Sequence, residues 1–534
     1  MKAKFIAAAL VPLALLAADT ASDNAGRWWS YIEYLASDAL EGRNTGSEGH
    51  RKAAEYVAGQ FQAAGLTPAG ERVDGKPSFI QPVAFLTKQL DEGQSSLALR
   101  TSIGIEPLKL GEDAIIGTRV DPASTVDAEL VFVGYGLRIP ELKYDDFAGL
   151  QSTGDTRGRI AVYLAGAPPD AAGSLASHYQ TAAQRWAAMK NVGIIGGISI
   201  ANPNHMDIPW ERSSANRLQM TMQLVDPKMI ETQGEQIAIS WNPAHADELL
   251  ADTGHTFKEI VDAAEAGKPL PHFVIRSRLQ AHTVVKRSQV TSQNIAAIYP
   301  GSGKANEYVV MSAHVDHLGV GPAVNGDSIF NGAMDNASGV ASMLEIANRL
   351  HETHAKTLRS ILFVAVTGEE KGLLGSKYFA MNPTVPVKNM VADINADMFL
   401  PLYPFKILTV YGLDESTLGA DAKAVGAEMG VKVQPDPEPL RNVFTRSDQY
   451  SFILEGVPSV MVDIGNEKGS KEEQIEKDWL ATRYHGRTDD LNQPIDKAAA
   501  AKFNDLLMRL VLRVANESKR PEWRKDSFFK RFTK

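Results

Sequence analysis

The sequence predicts an α/β protein: a three-layer sandwich with a mixed, largely parallel sheet, and a smaller β-rich module inserted in the chain. Three observations lead there. From about residue 286 to 534, short apolar runs alternate with segments of helical periodicity, as in a sheet covered by helices on both faces. The runs are continuous rather than alternating, as strands buried on both faces require. Acidic and histidine residues stand just beyond the ends of several of these runs, where open α/β sheets gather their ligands.

Taken in order, the chain begins with Lys2 and Lys4, an apolar run from Phe5 to Leu16, then Ala17 and Ala18. This run is too short to span a bilayer and reads as a signal peptide over 1–18, so the mature protein is expected to be exported, periplasmic or secreted. With no cysteine the chain has neither disulfide nor lipid-anchor thiol, which suits a bacterial periplasm or secretion and leaves stability to the core. No later run approaches transmembrane length, and stable membrane insertion is not expected. The 534 residues carry a formal charge of −9, and loss of Lys2 and Lys4 takes it to −11, which argues against nucleic acid as a partner. The basic, aromatic end, 519–534, is read as a tail packed on its domain or solvated.

Residues 19–124 are assigned to the first part of the main domain. Trp28, Trp29, Ile32 and Leu35 fall at helical spacing, as do Ala54, Val57, Phe61 and Ala64, with a turn-rich loop from Glu41 to Gly49 between them. Arg43 in that loop is read as a structural ion pair rather than a substrate contact. Residues 125–285 form the inserted module, with strands at 129–136, 159–164 and 192–200 and a helix at 182–189. Its histidines, at 178, 205, 245, 255, 272 and 282, are scattered without paired carboxylates and are read as ordinary surface or core residues.

The main part of the large domain, 286–534, carries strands at 294–299, 308–313, 360–366, 390–395 and 458–463, and a closing helix at 498–514. His314 ends the second of these strands, and Asp316 lies within reach of its other imidazole nitrogen, a common means of fixing a coordinating histidine. Asp335 precedes the helix marked by Val340, Met343, Leu344, Ala347 and Leu350. Glu369 and Glu370 follow the third strand, Asp397 the fourth, and His485 lies in a late loop. Two imidazoles and three carboxylates, with one glutamate to spare, are the donors that two zinc ions need if one carboxylate bridges them. Glu369 and Glu370, as neighbours in extended chain, point to opposite sides. His317 is read either as lining the pocket or as a loop histidine. His351-Glu-Thr-His354 is one residue short of a zincin motif and is read as a solvated helix end.

These residues stand in the motifs Ala313-His-Val-Asp-His-Leu-Gly319, Met334-Asp-Asn-Ala-Ser-Gly339, Gly368-Glu-Glu-Lys-Gly372, Asn395-Ala-Asp-Met398, Arg446-Ser-Asp-Gln449 and Tyr484-His485. In this order they resemble the co-catalytic di-zinc aminopeptidases, the metallopeptidase family 28 that includes aminopeptidase S and aminopeptidase Y. The module at 125–285 is similar to the protease-associated domain inserted in that family. The resemblance implies the zinc-peptidase, phosphorylase/hydrolase-like sandwich and two zinc ions per chain. It implies Asp335 as their bridge, with His314 and Asp397 completing one site and Glu370 and His485 the other. Glu369 would be the general base, Asp316 would orient His314, and the Asp335–Asn336 peptide would be cis. The implied reaction is removal of amino-terminal residues from a peptide substrate by a water bridging the two zincs. Gln449 departs from the histidine many relatives carry there. A carboxypeptidase or dipeptidase on the same centre is the alternative, served by Arg441 or Arg446 if either holds a substrate carboxylate. A catalytically inactive binding protein and a non-peptide acyl transferase complete the alternatives.

Overall fold

The computed structural model describes residues 24–534 apart from 154, 155, 172 and 207, so the expected signal peptide lies outside the described residues. The chain falls into two compact units. The first comprises 24–83, Ser292–Pro437 and Ser447–Lys534. Its sheet runs in the order Val285–Tyr299, Arg359–Val366, Lys304–His314, Met390–Asn395, Ser459–Gly465, Ile407–Tyr411 and Lys432–Gln434. The four strands from Arg359–Val366 to Ser459–Gly465 are mutually parallel. Val285–Tyr299 and Ile407–Tyr411 join antiparallel to their neighbours, which makes the sheet mixed.

Arg359–Val366 and Met390–Asn395 are buried at every residue, which is why they read as continuous apolar runs. Alternate side chains serve opposite layers. Val309, Met311, Ile361, Phe363 and Ala365 pack with Phe61, Val340, Leu344, Phe503 and Leu507, from the helices Glu48–Ala63, Ser338–Glu352 and Lys497–Asn516. Val310, Leu362, Val364 and Val366 pack with Phe379 and Phe452, from Leu374–Met381 and Gln449–Leu454. The closing helix begins where the Asp496 carboxylate accepts the N–H of Ala499 at 2.9 Å, a cap worth about 1 kcal/mol. The basic tail is packed: Phe529 is fully buried and Trp523 Nε1 donates to Gly456 O at 3.0 Å.

The second unit, Ala84–Thr291 with Glu438–Arg446, is built on an eight-stranded mixed sheet. It begins well before residue 125, because Ser96–Arg100 pairs with His272–His282 and Ile105–Leu108 with Ser96–Arg100. A strand-like stretch read as part of the main domain therefore belongs to the sheet of the insert. Three of the histidines here pair with carboxylates: His272 with Asp146 at 3.1 Å, His205 with Glu265 at 3.0 Å, and His245 with both Asp113 at 2.9 Å and Glu248 at 3.4 Å, so the expectation that none has paired carboxylates fails at His245, whose two partners the fold brings together. Arg441, Asn442 and Arg446 line a cavity of about 430 Å³ within this unit. No helix among the described residues is long and apolar enough to cross a membrane.

Candidate metal centre

Parallel pairing brings the carboxyl ends of three neighbouring strands level. His314 stands opposite Val366, and Ser312 opposite Asn395. Glu369, three residues beyond Val366, and Asp397, two beyond Asn395, therefore flank His314 from either side. Nε2 of His314 lies 3.1 Å from Asp397 Oδ1, 3.3 Å from Asp335 Oδ1 and 3.9 Å from Glu369 Oε2. The other oxygen of Asp335 is 3.2 Å from His485 Nε2, which is 3.3 Å from Glu370 Oε2. His485 reaches in from a residue with φ of 52°. One carboxylate thus stands between two groups of donors, and the sequence-predicted residues His314, Asp335, Glu369, Glu370, Asp397 and His485 come together in one place.

Asp316 is present but acts through different atoms from those expected. Nδ1 of His314 donates to the main-chain oxygen of Asp316 at 3.0 Å, whereas the nearer carboxylate oxygen is 3.9 Å away. The carboxylate instead accepts the Thr45 hydroxyl at 2.8 Å and the Glu369 main-chain N–H at 3.2 Å. The chain turns straight after His314, which brings the carbonyl of Asp316 back over the ring and points its side chain at Glu369.

Two residues that the sequence did not single out hold the Asp335 turn. The Asp335–Asn336 peptide is cis. Asn336 Oδ1 accepts the N–H of Gly339 at 2.8 Å and of Met398 at 3.2 Å, while its Nδ2 donates to Ala396 O at 3.0 Å. It thereby ties the Asp335 turn to the Asp397 loop. On the other side, the buried Asp489 accepts the N–H groups of Met334 and Asp335 at 2.9 and 3.0 Å, four residues after His485. Its only signal in the sequence is its nearness to His485. Arg43 is buried, and its guanidinium donates to the main-chain oxygens of Val315, Leu35, Asn331 and Gly332. It is an anchor for the loops around the site rather than half of an ion pair.

His317 is fully buried, with Nδ1 2.7 Å from Glu370 Oε1, so it is no surface-loop histidine. His351 and His354 are exposed at a helix end.

Charge is concentrated here. Burial pushes Glu369 up, and although His314 opposes this, the neighbouring Asp397 and Glu370 leave its carboxyl well above the ordinary range. Burial pulls His314 down, but Asp397 and Glu369 outweigh it and hold the imidazole well above its usual value. Burial would also raise Asp335, yet His314, His317 and His485 around it keep it well below. Four carboxylates, those of Asp335, Glu369, Glu370 and Asp397, converge on three imidazoles that are neutral in their ligating form. Buried negative charge of this kind requires compensation, and divalent cations supply it. The donor set, imidazole nitrogen and carboxylate oxygen, fits zinc. The atoms of His314, Asp335 and Asp397, and those of His317, Asp335 and Glu370, lie within 4.8 Å of one another in each group.

Residues 294–511 match the model for peptidase family M28. The matched stretch carries every residue named above as a candidate ligand, together with Glu369. The chain is 29% identical over 234 residues to probable leucine aminopeptidase 2 of Aspergillus fumigatus, covering 40% of this chain and 44% of that one. It is 27% identical over 206 residues to aminopeptidase Y of Saccharomyces cerevisiae, covering 38% and 35%. The chain thus spans less than half the length of these curated relatives. The solved aminopeptidase from Aneurinibacillus sp. strain AM-1 superposes with a TM-score of 0.56 over 93% of this chain and 95% of that one. At 19% identity that likeness is one of fold.

Proposed function

We propose that the chain is an exported metallo-aminopeptidase that removes amino-terminal residues from peptides. Two zinc ions would be held by His314, Asp335 and Asp397 on one side and by Asp335, Glu370 and His485 on the other. The observation that carries this reading is Asp335, whose two oxygens stand 3.3 Å from His314 Nε2 and 3.2 Å from His485 Nε2. A carboxylate so placed can join two cations. Bound there, the ions would acidify a water and polarise the scissile carbonyl.

Glu369 is the acid–base group of this reading. Its main-chain N–H is held by Asp316, and its carboxylate faces the His314 side of the cluster. As a carboxylate it would take a proton from the attacking water, and as the acid so formed it would return that proton to the leaving amine. The Arg43 guanidinium is committed to main-chain oxygens and is unsuited to holding a substrate carboxylate. The relatives are named probable leucine aminopeptidase 2 and aminopeptidase Y, which supports the amino-terminal reading. The second unit is proposed to be a protease-associated-like domain, on its insertion between the two parts of the main domain. Export rests on the pattern of Lys2, Lys4 and the apolar run that follows.

The test is hydrolysis of matched peptides with free, acetylated and amidated ends. Cleavage that requires a free amino terminus and tolerates a carboxyl-terminal amide supports the proposal. Cleavage of acetylated peptides from the carboxyl end would replace it with the carboxypeptidase reading.

A further inference from the structure

The half of the cluster around Glu370 contains one more imidazole than the resemblance assigns to it. His317 is fully buried, and neither of its ring nitrogens is in a hydrogen bond with the described residues. Its Nδ1 nevertheless approaches Glu370 Oε1 to 2.7 Å and Asp335 Oδ2 to 3.8 Å. His485 Nε2 addresses the second oxygen of the same glutamate and the same oxygen of the same aspartate, at 3.3 and 3.2 Å. The two rings face the carboxylates from different directions, with centroids 6.0 Å apart and planes inclined by 66°. A fully buried imidazole whose ring nitrogens lack well-aligned hydrogen bonds needs a physical reason, and convergence on two carboxylates that a second imidazole also addresses supplies one.

The surroundings are shaped to admit this ring. The main-chain N–H of His317 donates to Arg43 O at 3.3 Å, on the loop whose guanidinium is itself buried beneath the site. Gly332, with φ of 61°, lies against the imidazole. A Cβ there would come within 2.6 Å of the ring and 2.2 Å of Asp335 O, so only glycine leaves room for both the histidine and the aspartate turn.

We propose that His317 is a protein ligand of the second ion. This rests on the two-ion reading above. The second site then has four protein donors, Asp335, Glu370, His485 and His317, while the first has three, His314, Asp335 and Asp397. A complete set of four is the pattern of a closed zinc site, and three is that of a site with an open position. The open position therefore belongs to the His314–Asp397 side, which is also the side that Glu369 faces. The two ions are unequal: one is retained by the protein and the other is presented to substrate.

The experiment titrates zinc into metal-free full-length protein against a chromogenic chelator, for wild type, His317→Gln and His317→Ala, with X-ray absorption of the zinc-loaded forms. Wild type binding two zincs, with one equivalent in each variant weakened at least about 100-fold and the other unchanged, is the expected result. The absorption spectra should lose one imidazole across the two ions, and added imidazole should restore the lost affinity in His317→Ala. A His317 that only pairs with Glu370 would leave both affinities and the imidazole count as in wild type, which overturns the inference while the two-ion reading stands. Wild-type protein that takes up fewer than two zincs overturns both. Thermal unfolding of the metal-free variants separates loss of a ligand from loss of the fold: a variant whose metal-free form unfolds far below wild type assigns His317 to structure and overturns the inference.

Discussion

Replacing Asp489 by asparagine should weaken zinc binding although Asp489 is not among the proposed ligands. Its two oxygens accept the N–H groups of Met334 and Asp335, and Gln493 Nε2 donates to the first of them at 3.0 Å. Asparagine keeps one acceptor and presents an NH₂ to a main-chain N–H, so one buried hydrogen bond is lost and two donors face each other. Hydrogen bonds to charged groups contribute about 1.5–3 kcal/mol. Loss of one such bond is expected to cost about 2 kcal/mol. The turn so loosened carries Asp335, the residue on which both ions depend. Partners that orient a ligand typically change metal affinity about 10- to 100-fold. Chelator competition with zinc and unfolding of the metal-free protein measure the two effects separately. Unchanged affinity with lowered stability would reduce Asp489 to a scaffold residue. No change in either would refute the reasoning.

Three further outcomes are expected. Glu369→Gln should lower kcat by about 10²- to 10⁴-fold while zinc content stays at the wild-type level, and normal turnover would remove Glu369 from the mechanism. Gly332→Ala should lower zinc occupancy, read by mass spectrometry, because its Cβ would displace either the His317 ring or the Asp335 carbonyl. His50 is buried, and burial lowers it from 6.5 to about 4 even though Asp316 opposes this. The folded state thus binds fewer protons than the unfolded state between those values. Stability should be fully present above pH 6.5 and decline by up to about 3 kcal/mol as pH falls toward 4, and His50→Gln should flatten that part of the profile.

The parts of the fold legible in the sequence are those whose physics is local. Residues 360–366 and 390–395 are buried on both faces and spell themselves out as apolar runs, and the ligands stand where those runs stop. Ile407–Tyr411 and Lys432–Gln434 were not singled out, being short strands toward one side of the sheet. The start of the insert at Ala84 was hidden because it depends on pairing Ser96–Arg100 with His272–His282, a contact across more than half of that unit. The return of Glu438–Arg446 to the second unit has no local signal at all. In the site, the identities of the converging residues were legible from their order, but not the atoms they use. Asp316 reads as a carboxylate partner of His314 and proves to serve it through its carbonyl, because the chain turns immediately after the strand. Asp489 acts on the Asp335 turn, and Asn336 on the Asp397 loop, each far away in sequence. Burial, which separates a ligand from a loop histidine, is a property of the folded chain, and so His317 stayed ambiguous until its surroundings were seen.

The central claim is that Asp335 joins two ions. Zinc content of purified wild-type protein and of Asp335→Asn, measured by mass spectrometry on the same preparation used for peptide hydrolysis, tests it most directly. Wild type should hold close to two zincs per chain, and the variant should lose zinc and turnover together. A wild type with turnover but no zinc, or an Asp335→Asn protein that keeps both ions, would contradict it.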